Sequence, residues 1–115
     1  MKPEEYFSND YRKARNCLVA AASQVGAELS RLELKVEQAP CGLFTDIAWL
    51  GPYSPRRALL VVSGVHGVEG FAGSAVQLAA LRRVPKLDDD TALVLIHALN
   101  PYGMANLRRF NGNNV

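Results

Sequence analysis

Cysteine is scarce in this chain of 115 residues, which contains only Cys17 and Cys41. No CxxC pair and no third cysteine accompanies them. Disulfide frameworks and thiolate zinc sites need more cysteines at closer spacing, so we exclude both. Cys17 falls on the apolar side of a helical pattern, and we interpret it as a small buried hydrophobic residue.

Long hydrophobic runs are also missing. The longest stretch of low polarity, residues 70–81, is interrupted by Ser74 and Gln77. It is well short of the roughly 20 residues that cross a bilayer. The N-terminus has no apolar core followed by a small-residue cleavage site, so no secretory signal is predicted. We therefore expect no transmembrane helix, no membrane partner and a cytoplasmic location.

Charge of one sign does not dominate either, because 13 Lys and Arg residues face 11 Asp and Glu residues. The arginines form short pairs that are not interleaved with aromatic residues, so we expect no nucleic-acid partner. Hydrophobic residues make up 49% of the chain, which excludes intrinsic disorder. This length and composition are typical of a single globular domain with a modest core.

The first half of the chain predicts a helix and a hairpin. Apolar residues recur at helical spacing over residues 8–32, and Ser8 or Asp10 can cap the start of this helix. Residues 32–37 then alternate between apolar and polar, which is typical of a strand with one solvated face. Residues 43–50 indicate a second strand. We expect the two strands to form a hairpin at the edge of a sheet.

The second half predicts a parallel βαβ unit. Residues 58–63 are almost continuously apolar, which indicates a central strand buried on both faces. A helical pattern over residues 72–84 ends at Pro85, and residues 92–99 form a second apolar strand interrupted only by His97. We interpret His97 as a buried structural histidine. The predicted fold class is α/β, with an N-terminal helix, an edge hairpin and a parallel βαβ core.

Chemistry is predicted at the carboxyl ends of these two parallel strands, where open α/β sheets bind ligands. The glycine-rich segment 64–70 follows one strand, and the segment 100–109 follows the other. His66 and Glu69 are three residues apart in the first segment, so an imidazole and a carboxylate can reach one ion. Zinc accepts both ligand types, and a following helix N-terminus favours an ionised Glu69. We predict that His66 and Glu69 are metal ligands.

Three motifs carry a family resemblance. They are Gly-Val-His-Gly-Val-Glu-Gly at 64–70, Asn-Pro-Tyr-Gly at 100–103 and Arg-Phe-Asn-Gly-Asn-Asn-Val at 109–115. In this order they resemble the zinc carboxypeptidase family, and within it a bacterial branch of unknown function. The resemblance covers about residues 43–115 and implies a three-layer mixed sheet. It also implies that His66 and Glu69 bind zinc and that Arg109 polarises the scissile carbonyl and stabilises the oxyanion.

The same resemblance implies that the site is incomplete within these 115 residues. In the family, the third zinc ligand, the general-base glutamate and the residues that bind the substrate carboxylate follow later in the chain. We therefore expect residues 1–115 to be the N-terminal part of a single catalytic domain. Such a part would bind zinc weakly, would be inactive alone, and would self-associate through apolar faces left uncovered.

Several alternatives stay open at this point. The substrate implied by the resemblance is a peptide or an N-acyl amino acid, since deacylases related to aspartoacylase and succinylglutamate desuccinylase share the His-x-x-Glu pair. A non-enzymatic remnant or binding module is a further alternative. A serine hydrolase is disfavoured, because the sequence contains no G-x-S-x-G nucleophile motif.

Overall fold

A computed structural model of the chain describes residues 2–35 and 42–113. The predictions made for residues 36–41, including Cys41, and for residues 114–115 lie outside these ranges. A short 3-10 helix, Pro3–Tyr6, comes first along the chain. The remaining elements are α1 (Tyr11–Gln24), β1 (Glu28–Glu33), β2 (Phe44–Leu50), β3 (Arg57–Val62), α2 (Gly70–Arg82), β4 (Thr91–His97) and α3 (Pro101–Ala105).

The four strands form one mixed sheet in the order β1-β2-β4-β3. β1 pairs with β2, and β2 with β4, in antiparallel fashion, whereas β3 and β4 are parallel. α2 is the connection between the two parallel strands. The structure thus confirms the α/β class, the edge hairpin and the parallel βαβ unit. No helix in the described ranges is both long enough and apolar enough to cross a membrane.

The N-terminal helix is shorter than the sequence pattern predicts. Asp10 caps its start, since an Asp10 carboxylate oxygen accepts a hydrogen bond from the Lys13 amide at 3.2 Å. The helix ends at Gln24 instead of continuing to residue 32, and residues 28–33 belong to β1. Gly26 adopts a positive φ of 75°, which ends the helix at low cost. The apolar spacing of residues 28–33 also fits a helix, but their pairing with β2 makes them a strand.

β3 differs from its prediction as a strand buried on both faces. Within the described part of the chain it pairs only with β4 and therefore lies at an edge of the sheet. Leu59, Leu60 and Val62 are 60%, 57% and 42% exposed. A continuous apolar run predicts a strand that can be buried. Burial also requires other strands or helices that pack against it, and the run itself does not determine these. The interpretation of this strand as central is corrected for the described residues.

The main core lies between the sheet and the two long helices. Its buried members come from α1, α2, β2 and β4: Leu18, Ala21, Ala22, Ala48, Leu50, Leu78, Leu81, Leu93 and Leu95. Both helices pack on the same face, because the strand members of this cluster alternate along their strands. Residues of the opposite parity, such as Ile47 and Ile96, project from the other face.

A second, smaller cluster fixes the segment that follows β4. Met104 of α3 and Ala98 are fully buried against Tyr11 and Ala14 of α1. The Tyr11 hydroxyl also exchanges hydrogen bonds with the Phe44 backbone, at 2.8 and 2.9 Å. Together these contacts place α3 beside the start of α1, at the carboxyl end of the parallel strands.

Candidate functional site

The turn between β3 and α2 carries His66 and Glu69, and both side chains are exposed. The Gly70 amide donates to the carbonyl oxygens of His66 at 3.1 Å and Gly67 at 3.2 Å, which closes the turn. Glu69 is the N-cap residue of α2, and its carboxylate makes no capping hydrogen bond. The carboxylate therefore lies near the positive end of the helix and stays available to a ligand.

The loops that leave β3 and β4 run side by side beyond the ends of the strands. The Ser63 amide donates to the Ile96 carbonyl at 3.0 Å, and the Leu99 amide donates to the Ser63 carbonyl at 2.9 Å. The Asn100 amide donates to the Gly64 carbonyl at 2.7 Å. These bonds continue the pairing of the parallel strands, so the two predicted site segments start from adjacent points.

Glycine residues bring the two loops into backbone contact. A Cβ atom added at Gly67 would overlap the Gly103 and Arg108 carbonyl oxygens. The Arg108 amide in turn donates to the Gly103 carbonyl at 2.8 Å. The turn that carries His66 therefore packs directly on the start of α3 and on the segment that follows it.

Asn100 organises the second loop. Its side-chain oxygen accepts from the Gly103 amide at 3.0 Å and caps α3, and Pro101 occupies the first helical position. Arg109 is exposed and follows Arg108, whose amide ties this segment to Gly103. The structure thus brings together the backbone segments that carry His66, Glu69 and Arg109.

The described residues provide only some of the ligands that a metal ion needs. His66 and Glu69 offer an imidazole nitrogen and a carboxylate oxygen, both of which are zinc ligand types. Within residues 2–35 and 42–113, no group of three or more His, Cys, Asp or Glu side chains is placed to hold a metal. A catalytic zinc ion requires three protein ligands, so at least one more donor is needed.

An open groove of about 390 Å³ adjoins the turn. Val65, Leu99 and Pro101 line it on the side of the two loops, and Leu34 and Thr45 line it on the side of the hairpin. Val65 directly precedes His66 in the sequence. The groove therefore offers a partly apolar surface next to the turn that carries His66.

His97 is buried, as predicted, at the last position of β4. Its Nε2 atom lies 2.9 Å from the Ser74 hydroxyl of α2, and its Nδ1 atom has no hydrogen-bond partner among the described residues. Burial disfavours the charged imidazolium and lowers the pKa of His97 to about 4. His97 is thus a neutral structural residue at ordinary pH.

Sequence reasoning missed a buried polar network beneath the turn. The Ser63 hydroxyl donates to the Gln77 side-chain oxygen at 2.8 Å. The Gln77 side-chain nitrogen donates to the Val61 and Ile96 carbonyl oxygens at 2.8 and 3.0 Å. One signal was present in the sequence, because Ser74 and Gln77 are the only polar residues in the 70–81 run and share a helix face.

Comparison with known proteins identifies a family and a fold. Residues 7–115 match the model of a family described as "Protein of unknown function (DUF2817)". No curated protein matches the chain. Among solved structures, a candidate metallopeptidase from Shewanella denitrificans is 24% identical with a TM-score of 0.67, over 92% of this chain and 38% of that one.

Two glutaminyl cyclases are also similar in structure. The enzyme from Fimbriiglobus ruber is 15% identical with a TM-score of 0.59, over 80% of this chain and 40% of that one. The enzyme from Porphyromonas gingivalis is 15% identical with a TM-score of 0.60, over 88% of this chain and 45% of that one. The chain thus spans less than half the length of these three proteins. At such identities the likeness shows a metallopeptidase-like fold, and the narrower carboxypeptidase assignment stays a prediction.

Proposed function

Since this chain belongs to DUF2817, a family of proteins of unknown function, we propose that it forms part of a zinc-dependent amide hydrolase of the metallopeptidase type. In this proposal, His66 and Glu69 bind zinc, and Arg109 acts on the scissile carbonyl. The observation that carries the proposal is the backbone contact between the His66 turn and the loop that begins at Asn100. Both segments lie where α/β sheets bind their ligands.

The chemistry of the two exposed side chains supports zinc as the metal. An imidazole and a carboxylate suit zinc, and neither side chain makes a hydrogen bond or ion pair within the described part of the chain that would have to break first. The chemistry that zinc supplies when bound at such a site is Lewis-acid polarisation of an amide carbonyl.

Arg109 has the chemistry that the carbonyl oxygen requires. Its guanidinium is permanently charged and carries several N–H donors, so it can donate to an oxygen on which negative charge develops. The tie between the Arg108 amide and Gly103 keeps this part of the chain beside the turn. We propose that Arg109 binds and polarises the substrate carbonyl.

The proposed site needs donors in addition to His66 and Glu69. A third zinc ligand and a general base are needed, and the described residues provide no third donor close to His66 and Glu69. We propose that they come from the remainder of a larger catalytic domain. The 115-residue chain alone is then expected to bind zinc weakly and to hydrolyse neither peptides nor N-acyl amino acids. The cytoplasmic location likewise stays a prediction.

Zinc binding by the 115-residue chain tests the proposed ligands. Zinc is titrated while the ring resonances of both histidines are followed by NMR. We expect His66 to shift in a saturable manner and the buried His97 to stay unchanged. Isothermal titration calorimetry then compares the variants: His66→Ala and Glu69→Gln should each weaken zinc binding at least tenfold, whereas Asp89→Asn, which removes an exposed carboxylate in the loop before β4, should not. Equal affinities for all variants would exclude the ligand assignment.

The activity test compares the whole gene product with the 115-residue chain. Both are assayed with peptides carrying a free carboxyl terminus and with N-acyl amino acids, before and after treatment with a metal chelator. We expect activity only in the larger protein, and we expect the chelator, His66→Ala and Arg109→Ala to abolish it. Hydrolysis by the 115-residue chain that His66→Ala removes would show that the site is already complete.

A second candidate function is a non-enzymatic binding module. It is favoured by one observation, namely the lack of a three-donor metal group within residues 2–35 and 42–113. Such a module would bind a peptide or an N-acyl amino acid without cleaving it. An intact ligand recovered from the whole gene product after saturation with zinc would favour this function over hydrolysis.

A further inference from the structure

The Gln77 side chain occupies an unusual place for an uncharged amide. It is fully buried between α2 and the sheet, in a helix whose other buried residues are mostly apolar or small. Its oxygen accepts from Ser63, and its nitrogen donates to the Val61 and Ile96 carbonyl oxygens. Burial of an amide is costly unless such bonds are made, so the side chain has one favourable position.

These three bonds connect the elements at both ends of the metal-ligand turn. Val61 lies near the end of β3 and Ser63 directly follows this strand, where the turn begins, and Ile96 lies near the end of β4. Gln77 itself belongs to α2, which starts immediately after Glu69. One side chain in the middle of α2 therefore holds this helix against the end of β3, and the segment that joins the two elements contains both proposed zinc ligands.

The packing around Gln77 leaves little freedom for a different arrangement. A Cβ atom added at Gly73 would lie 2.9 Å from the Ser63 Cβ atom, so α2 already approaches β3 closely. Ser74, on the same helix face as Gln77, contacts His97 of β4 at 2.9 Å. Apolar contacts alone are not directional, whereas these polar bonds select one rotation and one depth of the helix.

We infer that Gln77 is a positioning residue, whose buried amide holds the turn of residues 63–69 in the arrangement that lets His66 and Glu69 share one metal ion. The inference rests on the proposed function and deepens it. Gln77 is buried and does not contact the ion; it acts through the backbone of β3 and through the position of α2.

The test compares Gln77→Met with Leu81→Ala in the 115-residue chain. Methionine has nearly the same length as glutamine but makes none of its hydrogen bonds, whereas Leu81→Ala removes core packing in the last turn of the same helix. Two quantities are measured: zinc affinity from the His66 ring resonances, and the hydrogen-exchange rates of the amides in residues 64–70. Urea unfolding shows how far each variant lowers global stability.

We expect Gln77→Met to raise the zinc dissociation constant at least tenfold and to accelerate exchange in residues 64–70 more than in β2. Leu81→Ala should leave the zinc dissociation constant within about twofold, even where it lowers global stability as much. If both variants change affinity and local exchange in proportion to their loss of stability, Gln77 has no positioning role. If Gln77→Met does not fold, Ser63→Ala against Leu81→Val decides by the same two measurements.

Failure of the proposed function gives a different result. If the unmodified chain binds no zinc at His66, the metal assignment is wrong, whatever Gln77 does. The exchange rates of residues 64–70 still decide whether Gln77 holds the turn, because they need no metal. Unchanged local exchange in Gln77→Met would overturn the inference even in a chain that binds zinc.

Discussion

The buried imidazole of His97 makes the stability of this chain depend on pH. Its pKa in the folded chain is lowered to about 4 from the ordinary 6.5, mainly by burial. The unfolded chain therefore takes up this proton first as the pH falls. The contribution to stability is complete above pH 6.5 and is lost progressively between pH 6.5 and 4, by up to roughly 3 kcal/mol.

His97→Gln tests this expectation. The free energy of unfolding of the unmodified chain should fall relative to that of the variant as the pH is lowered through this range, as measured by urea denaturation at several pH values. His66→Gln is the control. It removes the exposed histidine, so the fall in the free energy of unfolding at low pH should remain. Parallel pH profiles for the unmodified chain and His97→Gln would contradict the role of burial.

Gly67 tests the contact between the two site loops. A methyl group there would overlap the Gly103 and Arg108 carbonyl oxygens, so Gly67→Ala must force the loops apart. We expect a loss of about 1–3 kcal/mol and altered amide resonances in both loops. Gly26→Ala is the control: a Cβ atom there meets nothing within 4 Å, and its cost of about 1–2 kcal/mol comes from the positive φ alone. An unperturbed second loop in Gly67→Ala would refute the contact.

At the scale of elements, one ion pair joins α1 to β2. Arg15 donates from Nε to one Asp46 oxygen at 2.6 Å and from a terminal nitrogen to the other at 2.9 Å, and Asp46 is buried. Removal of the guanidinium would leave a buried carboxylate without its partner. We expect Arg15→Met to lower the free energy of unfolding by about 3 kcal/mol.

The double variant Arg15→Met, Asp46→Leu should recover much of this loss, because no buried charge remains. Arg57→Met is the matched control, since the Arg57–Asp88 pair is exposed and should contribute much less to stability than the buried pair. Urea denaturation of the four chains gives the comparison. Equal losses for Arg15→Met and Arg57→Met would show that burial of Asp46 does not determine the effect.

The order of elements could be predicted from the sequence because each has a clear period or a clear break. The apolar run before Gly64 and the helical pattern that ends near Pro85 give the βαβ unit directly. The length of α1 could not be predicted in this way. Leu29 and Leu32 fit a helical period, and only their pairing with β2 assigns them to a strand.

The candidate site was predictable only as far as its motifs are local. His66 and Glu69 stand in one short glycine-rich segment, so their common turn follows from the sequence. The bonds of Gln77 join residues 14 to 19 positions away. A buried polar residue does not indicate its partners before the fold is known, which is why this network could not be predicted.

At the scale of the whole molecule, an uncovered apolar surface surrounds β3. Leu59 projects from the helix-bearing face of the sheet, Leu60 and Val62 project from the other face, and Val76 of α2 is also exposed. β1, at the opposite edge, carries Glu28, Arg31 and Glu33, whereas residues 58–62 contain neither charge nor proline. Charged residues and prolines usually protect edge strands from pairing with another chain. Residues 58–62 of β3 lack both, so this free edge is suited to pair with a further strand.

We therefore expect the isolated 115-residue chain to self-associate through β3. The free backbone groups of this edge and its apolar side chains favour addition of a strand from a second copy when no other polypeptide covers them. Leu60→Lys should shift sedimentation velocity profiles toward the monomer, because a buried lysine at a strand junction is costly. Leu32→Lys, at an exposed leucine of β1, should leave association unchanged. If the unmodified chain stays monomeric at high concentration, the exposed β3 edge does not drive self-association.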